Sequence, residues 1–228
     1  MFGLYNLLWV LTWFIGSAPG RLIVLLFLLW WLDSRYFGIV STLIFAPLRR
    51  ERHIARLREQ VRINTADIPA LIELGDHYLH AGKPRSAADY LEQAVALGED
   101  GARTLYLLGA ARVRLGRPEE GQAMLTDAIA KSPEMAYGEP YLYLMEAAFA
   151  RDGKDSPRID ELVAALEPFD SVEVLTRAGL ICKANGRKDL GQRLLRDALT
   201  NYGYTPAKLR RRSRYWMMQA RLNLLLMG

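Results

Sequence analysis

The feature that most constrains the fold of this 228-residue chain is an internal repeat of about 34 residues. Leu71, Leu74, Gly75, Tyr78, Gly82, Ala87, Leu91 and Ala94 set the register. Thirty-four residues later the same positions hold Leu105, Leu108, Gly109, Arg112, Gly116, Gly121, Leu125 and Ala128, and Pro133 closes the unit. A fourth unit reads Leu175, Ala178, Gly179, Cys182, Gly186, Gly191, Leu195 and Ala198. The weaker third unit, Leu142, Met145, Glu146, Phe149, Gly153, Arg158, Leu162 and Ala165, begins 37 residues after the second and 33 before the fourth. The extra residues fall around 135–140.

The spacing predicts helix hairpins. Gly75, Gly109 and Gly179 let a second helix come close to the first, and Ala87, Gly121 and Gly191 do the same from the other side. Leu71, Leu74 and Leu91 fill the space between helices, while Ala94, Ala128 and Ala198 let the next hairpin stack. Gly82, Gly116 and Gly186 end each first helix where a left-handed residue is wanted. Pro84 and Pro118 suit the first turn of the helix that follows.

These residues resemble the tetratricopeptide repeat (TPR) family: Leu-Gly, a large residue, Gly, then Ala or Gly, Leu and Ala. The resemblance covers residues 68–203, about three-fifths of the chain. It implies an all-α, right-handed solenoid of about four helix hairpins plus a capping helix, with a concave groove that takes peptides, helices or extended segments. First helices line the groove in this family. The resemblance therefore implies outward candidates at Glu73, Asp76, His77, Arg103, Tyr106 and Arg112, which read equally well as solvated surface. Asn64, Tyr78 and Lys83 do not form the clamp that chaperone-binding members use for a terminal carboxylate. In unit three, Glu146 and Arg158 replace small residues, and a local splay is expected there. The stretch 137–142, with Tyr137, Gly138, Pro140 and Tyr141, reads as a packed turn filling the insertion or as a partner-contact loop.

Polarity divides the chain further. Residues 1–48 contain only Arg21, Asp33 and Arg35 as charged groups. Three apolar runs, 2–15, 22–32 and 39–48, are each shorter than the ~20 residues of a full helical span. Two arrangements fit. The favoured one is a tight helical hairpin turning at 17–20, with Arg21 snorkelling to the headgroups and the third run along the interface. The other is a continuous helix through 22–48 that buries Asp33 and Arg35 at a cost of several kcal/mol unless they are paired. Trp9, Trp13, Trp30 and Trp31 are candidate interfacial anchors. Arg49 and Arg50 begin a basic run that favours the cytoplasmic side for everything beyond. Ile54, Leu57 and Val61 give the next segment one apolar face. The expected domains are a membrane anchor at 1–48, a juxtamembrane amphipathic helix at 49–66, a solenoid at 67–205 and a basic capping helix at 206–228.

Charge follows the same division. The net is +5 over 1–63, −6 over 64–205 and +6 over 206–228, where there is no acidic residue. Basic segments beside apolar ones point to anionic headgroups rather than nucleic acid. The C-terminal segment places Trp216, Ala220, Asn223 and Met227 on one helical face, suited to covering the last hairpin. Its Arg run also fits a membrane surface or an acidic partner.

No catalytic constellation is present. His77 and His80, at i and i+3, lack an obvious third metal ligand, and the lone Cys182 sits at a core position of the repeat. No phosphate loop, dinucleotide fingerprint or carboxylate pair occurs. The expectation is a non-enzymatic scaffold without cofactor or metal, tethered to a bacterial-type inner membrane with its solenoid cytoplasmic. Its partners would be proteins, membrane proteins among them, and the lipid bilayer. It would serve as an accessory subunit or assembly factor of a membrane complex, or alternatively as a regulatory adaptor for a membrane protease or an envelope-biogenesis enzyme.

Overall fold

The computed structural model describes Val24, Phe27, Trp31 and residues 46–227, without the side chains of 46–50. The chain divides into two compact units at Glu59/Gln60. In the first, Val24, Phe27 and Trp31 are helical, and Phe27 and Trp31 are exposed. Trp9, Trp13, Arg21, Trp30 and the side chains of Arg49 and Arg50 lie outside the described residues. So does the choice between hairpin and continuous helix. Among the described residues, no helix is long and apolar enough to cross a membrane.

Ten helices follow from residue 46 onward: α1 (Ala46–Ile63), α2 (Ile68–His80), α3 (Pro84–Ala96), α4 (Ala102–Arg114), α5 (Pro118–Lys131), α6 (Glu139–Asp152), α7 (Pro157–Ala164), α8 (Val172–Ala184), α9 (Lys188–Tyr204) and α10 (Ala207–Leu225). Leu57 and Val61 of α1 are buried and Ile54 is half-buried. Helices α2 to α9 form four consecutive hairpins, and α10 packs on α8 and α9.

Local chemistry sets the helix ends. Asp67 caps α2 by accepting from the Ala70 amide at 3.1 Å, and Ser171 caps α8 by accepting from Val174 N at 3.3 Å. Proline opens α3, α5 and α7, where its missing N–H costs nothing. Gly82, Gly116 and Gly186 take φ of +70°, +77° and +85°, the left-handed geometry expected after each first helix.

Close backbone approach is visible where the repeat predicts it. A Cβ on Gly109 would lie 2.9 Å from the Gly121 carbonyl oxygen, and one on Gly121 would lie 2.6 Å from the Gly109 carbonyl oxygen. Gly179 and Gly191 repeat this at 3.0 and 2.8 Å. In the first hairpin the space beside Gly75 is filled instead by Leu91. The repeat residues Leu71, Leu74, Ala87, Leu91, Ala94, Leu125, Ala128, Leu195 and Ala198 are all fully buried.

The third unit departs from the others, as its sequence suggests. A short 3-10 turn at Met135–Gly138 takes up the insertion, with Ala136, Tyr137 and Gly138 at φ of 50°, 49° and 89°. Tyr141 packs on Phe169, 5.9 Å between ring centroids, whereas Tyr137 is 79% exposed, so the insertion is part packed turn and part open loop. Helix α7 has only 8 residues and packs mainly on α6, while α3 and α5 each also pack on the next first helix. One alignment is corrected here. The core residue of α7 is the fully buried Ile159, and Arg158 is only half-buried beside it.

Alanine at the glycine contacts should strain the hairpins. Gly121→Ala is expected to cost about 1–3 kcal/mol by forcing two backbones apart. Gly203→Ala, where an added Cβ meets nothing within 4 Å, should be neutral or stabilising by up to about 1 kcal/mol. Thermal unfolding followed by circular dichroism checks the order, and a Gly121→Ala protein as stable as the parent would show that these helices do not touch.

Candidate partner-binding face

The first helices of successive units lie side by side, α2 on α4, α4 on α6 and α6 on α8. Hydrogen bonds and ion pairs cross each of these seams. Asp76 on α2 accepts from Arg103 Nη2 on α4 at 2.8 Å. The Tyr106 hydroxyl on α4 donates to Glu139 Oε2 on α6 at 2.6 Å. The other carboxylate oxygen of Glu139 accepts from Arg177 on α8. Arg177 also lies 3.8 Å from Glu173. The result is a row of polar contacts running from the first hairpin to the fourth.

The electrostatics follow from burial and pairing. Burial pushes Asp76 up, but hydrogen bonds from His80 and Arg103 outweigh it and leave the carboxyl below its ordinary value. His80, with Nδ1 2.8 Å from Asp76 Oδ1, is raised by that hydrogen bond against burial. Burial raises both Tyr106 and Tyr143, so both phenols stay protonated at any physiological pH. Their rings sit 6.0 Å apart, and the Arg114 guanidinium lies 5.4 Å from the Tyr143 centroid. Burial raises Glu146 as well, with Arg114 and Arg177 pulling the other way. For Arg177, burial is opposed by Glu139, which holds the net shift upward.

The six sequence candidates separate into two groups. Glu73, Asp76 and His77 lie on α2, and Arg103, Tyr106 and Arg112 lie on α4. The structure pairs Asp76 with Arg103, whose side chain is 62% exposed. Tyr106 is not an outward residue: it is buried, and only its hydroxyl meets the polar row. Arg112 is not on this face either. It occupies the register of Tyr78 and Cys182 and turns toward the second helices, 2.6 Å from Glu92 on α3 and 3.5 Å from Glu120 on α5. It is a brace between hairpins.

Tyr143, Arg177 and Glu173 are not among the sequence candidates, whereas His80 is named there only as a metal-ligand candidate and Glu139 lies in the 137–142 stretch read as a packed turn or a partner-contact loop. The repeat register carried the signal for three of them: Arg177 is the fourth-unit equivalent of Glu73, Glu173 that of Arg103, and Tyr143 the third-unit equivalent of Tyr106. Glu139 gave no such signal, because it follows the insertion directly. At the far end of the row, Tyr137, Phe169, Glu173, Leu209, Arg212 and Trp216 border an open cleft of about 440 Å³. Cys182 is fully buried, and burial pushes its thiol up to about 12, which suits packing and not nucleophilic chemistry.

No protein-family model and no curated protein matches the chain. Solved structures do. TTC0263, a thermophilic TPR protein in Thermus thermophilus, superposes with a TM-score of 0.57 at 20% identity, over 78% of this chain and 94% of that one. A MamA protein structure superposes with a TM-score of 0.50 at 20% identity, over 75% and 91%. The fold is that of TPR proteins. The likeness is one of architecture, and the polar row on the TPR first helices is read from this chain's own residues.

Two stability tests follow. The folded pKa of His80 lies above its unfolded value, so its contribution is complete below 6.5 and is lost as pH rises through the folded pKa. The folded pKa of Asp76 lies below its unfolded value, so its contribution is complete above 3.8 and is lost as pH falls through the folded pKa. Between those values both act together. Asp76→Asn should therefore flatten the fall in melting temperature from pH 6 to pH 8, a modest slope because both groups are partly exposed. In the Glu139 cluster, Tyr106→Phe should cost about 1 kcal/mol. Arg177→Ala should cost about 3 kcal/mol, because it leaves a largely buried carboxylate with one donor. Equal losses in denaturant titration would contradict that assignment.

Proposed function

We propose that this chain is a membrane-anchored TPR scaffold that holds a protein partner on its first-helix face, as an accessory subunit or assembly factor of a membrane protein complex. The observation that carries the reading is the row of polar contacts crossing every first-helix seam. Such contacts fix the spacing of the helices, and Arg103 and His80 are exposed beside them in a set geometry. A surface ordered in advance binds without a large ordering penalty. Family resemblance supports a peptide or helix as the occupant. Fold alone does not specify it.

The anchor rests on residues 1–48, with their three charged groups, and on the basic run from Arg49 to Arg62 that supports a cytoplasmic solenoid at a bacterial-type inner membrane. Tethering raises the effective concentration of the solenoid for partners in the same bilayer. Short apolar runs that span poorly alone suit packing against other membrane subunits.

Affinity capture of the full chain from detergent-solubilised membranes, followed by mass spectrometry, tests this function. Membrane proteins should be recovered in stoichiometric amounts. Arg103→Glu, which reverses an exposed charge and breaks a pair worth about 0–1 kcal/mol, should reduce recovery about tenfold, a loss of ~1.4 kcal/mol in binding, with little change in melting temperature. Unchanged recovery would move the docking surface elsewhere. A chain left in the supernatant after ultracentrifugation of lysed cells would remove the anchor.

A further inference from the structure

Capping explains only the inner side of α10. On that side Ala220 is fully buried, Lys183 Nζ donates to Asn223 Oδ1 at 2.9 Å, and Gln192 Nε2 donates to the Met227 carbonyl at 3.2 Å. Arg210 is also absorbed, donating to the Thr205 and Gly203 carbonyls at the end of α9, both at 2.9 Å. The outer side carries exposed apolar residues. Tyr215, Met218, Leu222 and Leu225 lie at i, i+3, i+7 and i+10 and are between 53% and 81% exposed. Leu226 continues the stripe. Arg211, Arg214 and Arg221 run along the same strip, each one helical turn from one of these apolar residues. The helix has 19 residues and is about 28 Å long. The whole segment 206–228 carries six basic residues and no acidic one.

We infer that the outer face of α10 lies on the surface of an anionic lipid bilayer, with its guanidinium groups among headgroup phosphates and Tyr215, Met218, Leu222 and Leu225 in the interfacial layer. Charge complementarity selects the occupant. A basic strip with a narrow apolar stripe fits a negative surface that is apolar a few ångströms below. A second copy of α10 seated on the first would bring together two strips that carry basic residues and no acidic one, because a two-fold contact uses the same patch on both copies. The choice of lipid over an acidic protein rests in part on the membrane reading proposed above.

The test uses the full chain with an environment-sensitive fluorophore on Met218→Cys. The natural Cys182 is fully buried with its thiol raised, so labelling is selective. Leu97→Cys, an exposed position outside α10, is the control. The protein is mixed with phosphatidylcholine vesicles with and without phosphatidylglycerol. The expected result is a blue shift at Met218, and quenching by lipid-borne nitroxides, only in vesicles holding phosphatidylglycerol. Both should weaken at high salt. Replacing Arg211, Arg214 and Arg221 together by Gln should weaken the anionic-vesicle response by about a hundredfold, while raised salt on the unmutated face gives the same reading without risk to folding.

A Met218 label that stays in water, or that responds equally without phosphatidylglycerol, overturns the inference. So does burial that depends on protein concentration without lipid, the mark of a second copy, or burial that needs an added protein. Flotation separates this inference from the anchor. A chain that floats on neutral vesicles while its Met218 label stays wet keeps the anchor and loses the α10 contact. A chain that floats only on anionic vesicles with its label quenched does the reverse.

Discussion

Two helix backbones touch at Gly109–Gly121 and again at Gly179–Gly191, and the rest of the solenoid is arranged around those contacts. The distances leave no room for a methyl group on either side. Carbonyl oxygens take the place that side chains hold in ordinary helix pairs, so the two helices meet backbone to backbone. Leu125 and Leu195 then pack over the contact, where both are fully buried. The first hairpin solves the same problem with Gly75 and Leu91, so the purpose is the same while the atoms differ.

Close pairing within hairpins also governs what happens between them. Once each pair is rigid, the next first helix can approach at one distance only, and side chains of fixed length can bridge the seam. Asp76–Arg103, Tyr106–Glu139 and Glu139–Arg177 are such bridges. Their energies differ in kind. The exposed Arg103 pair contributes little to stability. The Glu139–Arg177 pair is largely buried and repays its desolvation only through the added hydroxyl of Tyr106. What such a cluster supplies is position: it aligns α4, α6 and α8 at the irregular third unit, where the short α7 reaches the following hairpin through the Asp160–Arg187 pair at 2.9 Å.

How much of this was legible depends on which physical signal each residue carries. Glycine and alanine at fixed spacing report helix approach directly, so the hairpins, their ends and the buried leucines could be read from the chain. So could the inner face of α10, since Ala220 and Asn223 needed only helical period. Side-chain direction was less accessible. Arg112 looks like a groove residue by type, yet its register is that of Tyr78 and Cys182, which is a packing position. Tyr106 was placed on the right helix and the wrong side of the surface. Glu139 lies in the stretch read as a turn or a contact loop, and its pairing across the seams was not legible because the insertion breaks register just before it. The one-residue shift from Arg158 to Ile159 has the same origin, since no glycine marks the start of α7 as it marks α5 and α9.

Charge gives the last constraint. Residues 64–205 carry a net −6, and an anionic bilayer repels such a body. Repulsion of this kind is felt only within about one Debye length, roughly 8 Å at physiological salt. The basic groups are confined to the segments before and after the acidic repeats, so attraction acts at the chain's two ends and repulsion along its middle. A uniformly basic solenoid of the same fold would lie flat and cover its own binding face. On the proposed reading, separating the charges by segment would let the basic segments meet anionic headgroups while the acidic repeats stay free for a partner.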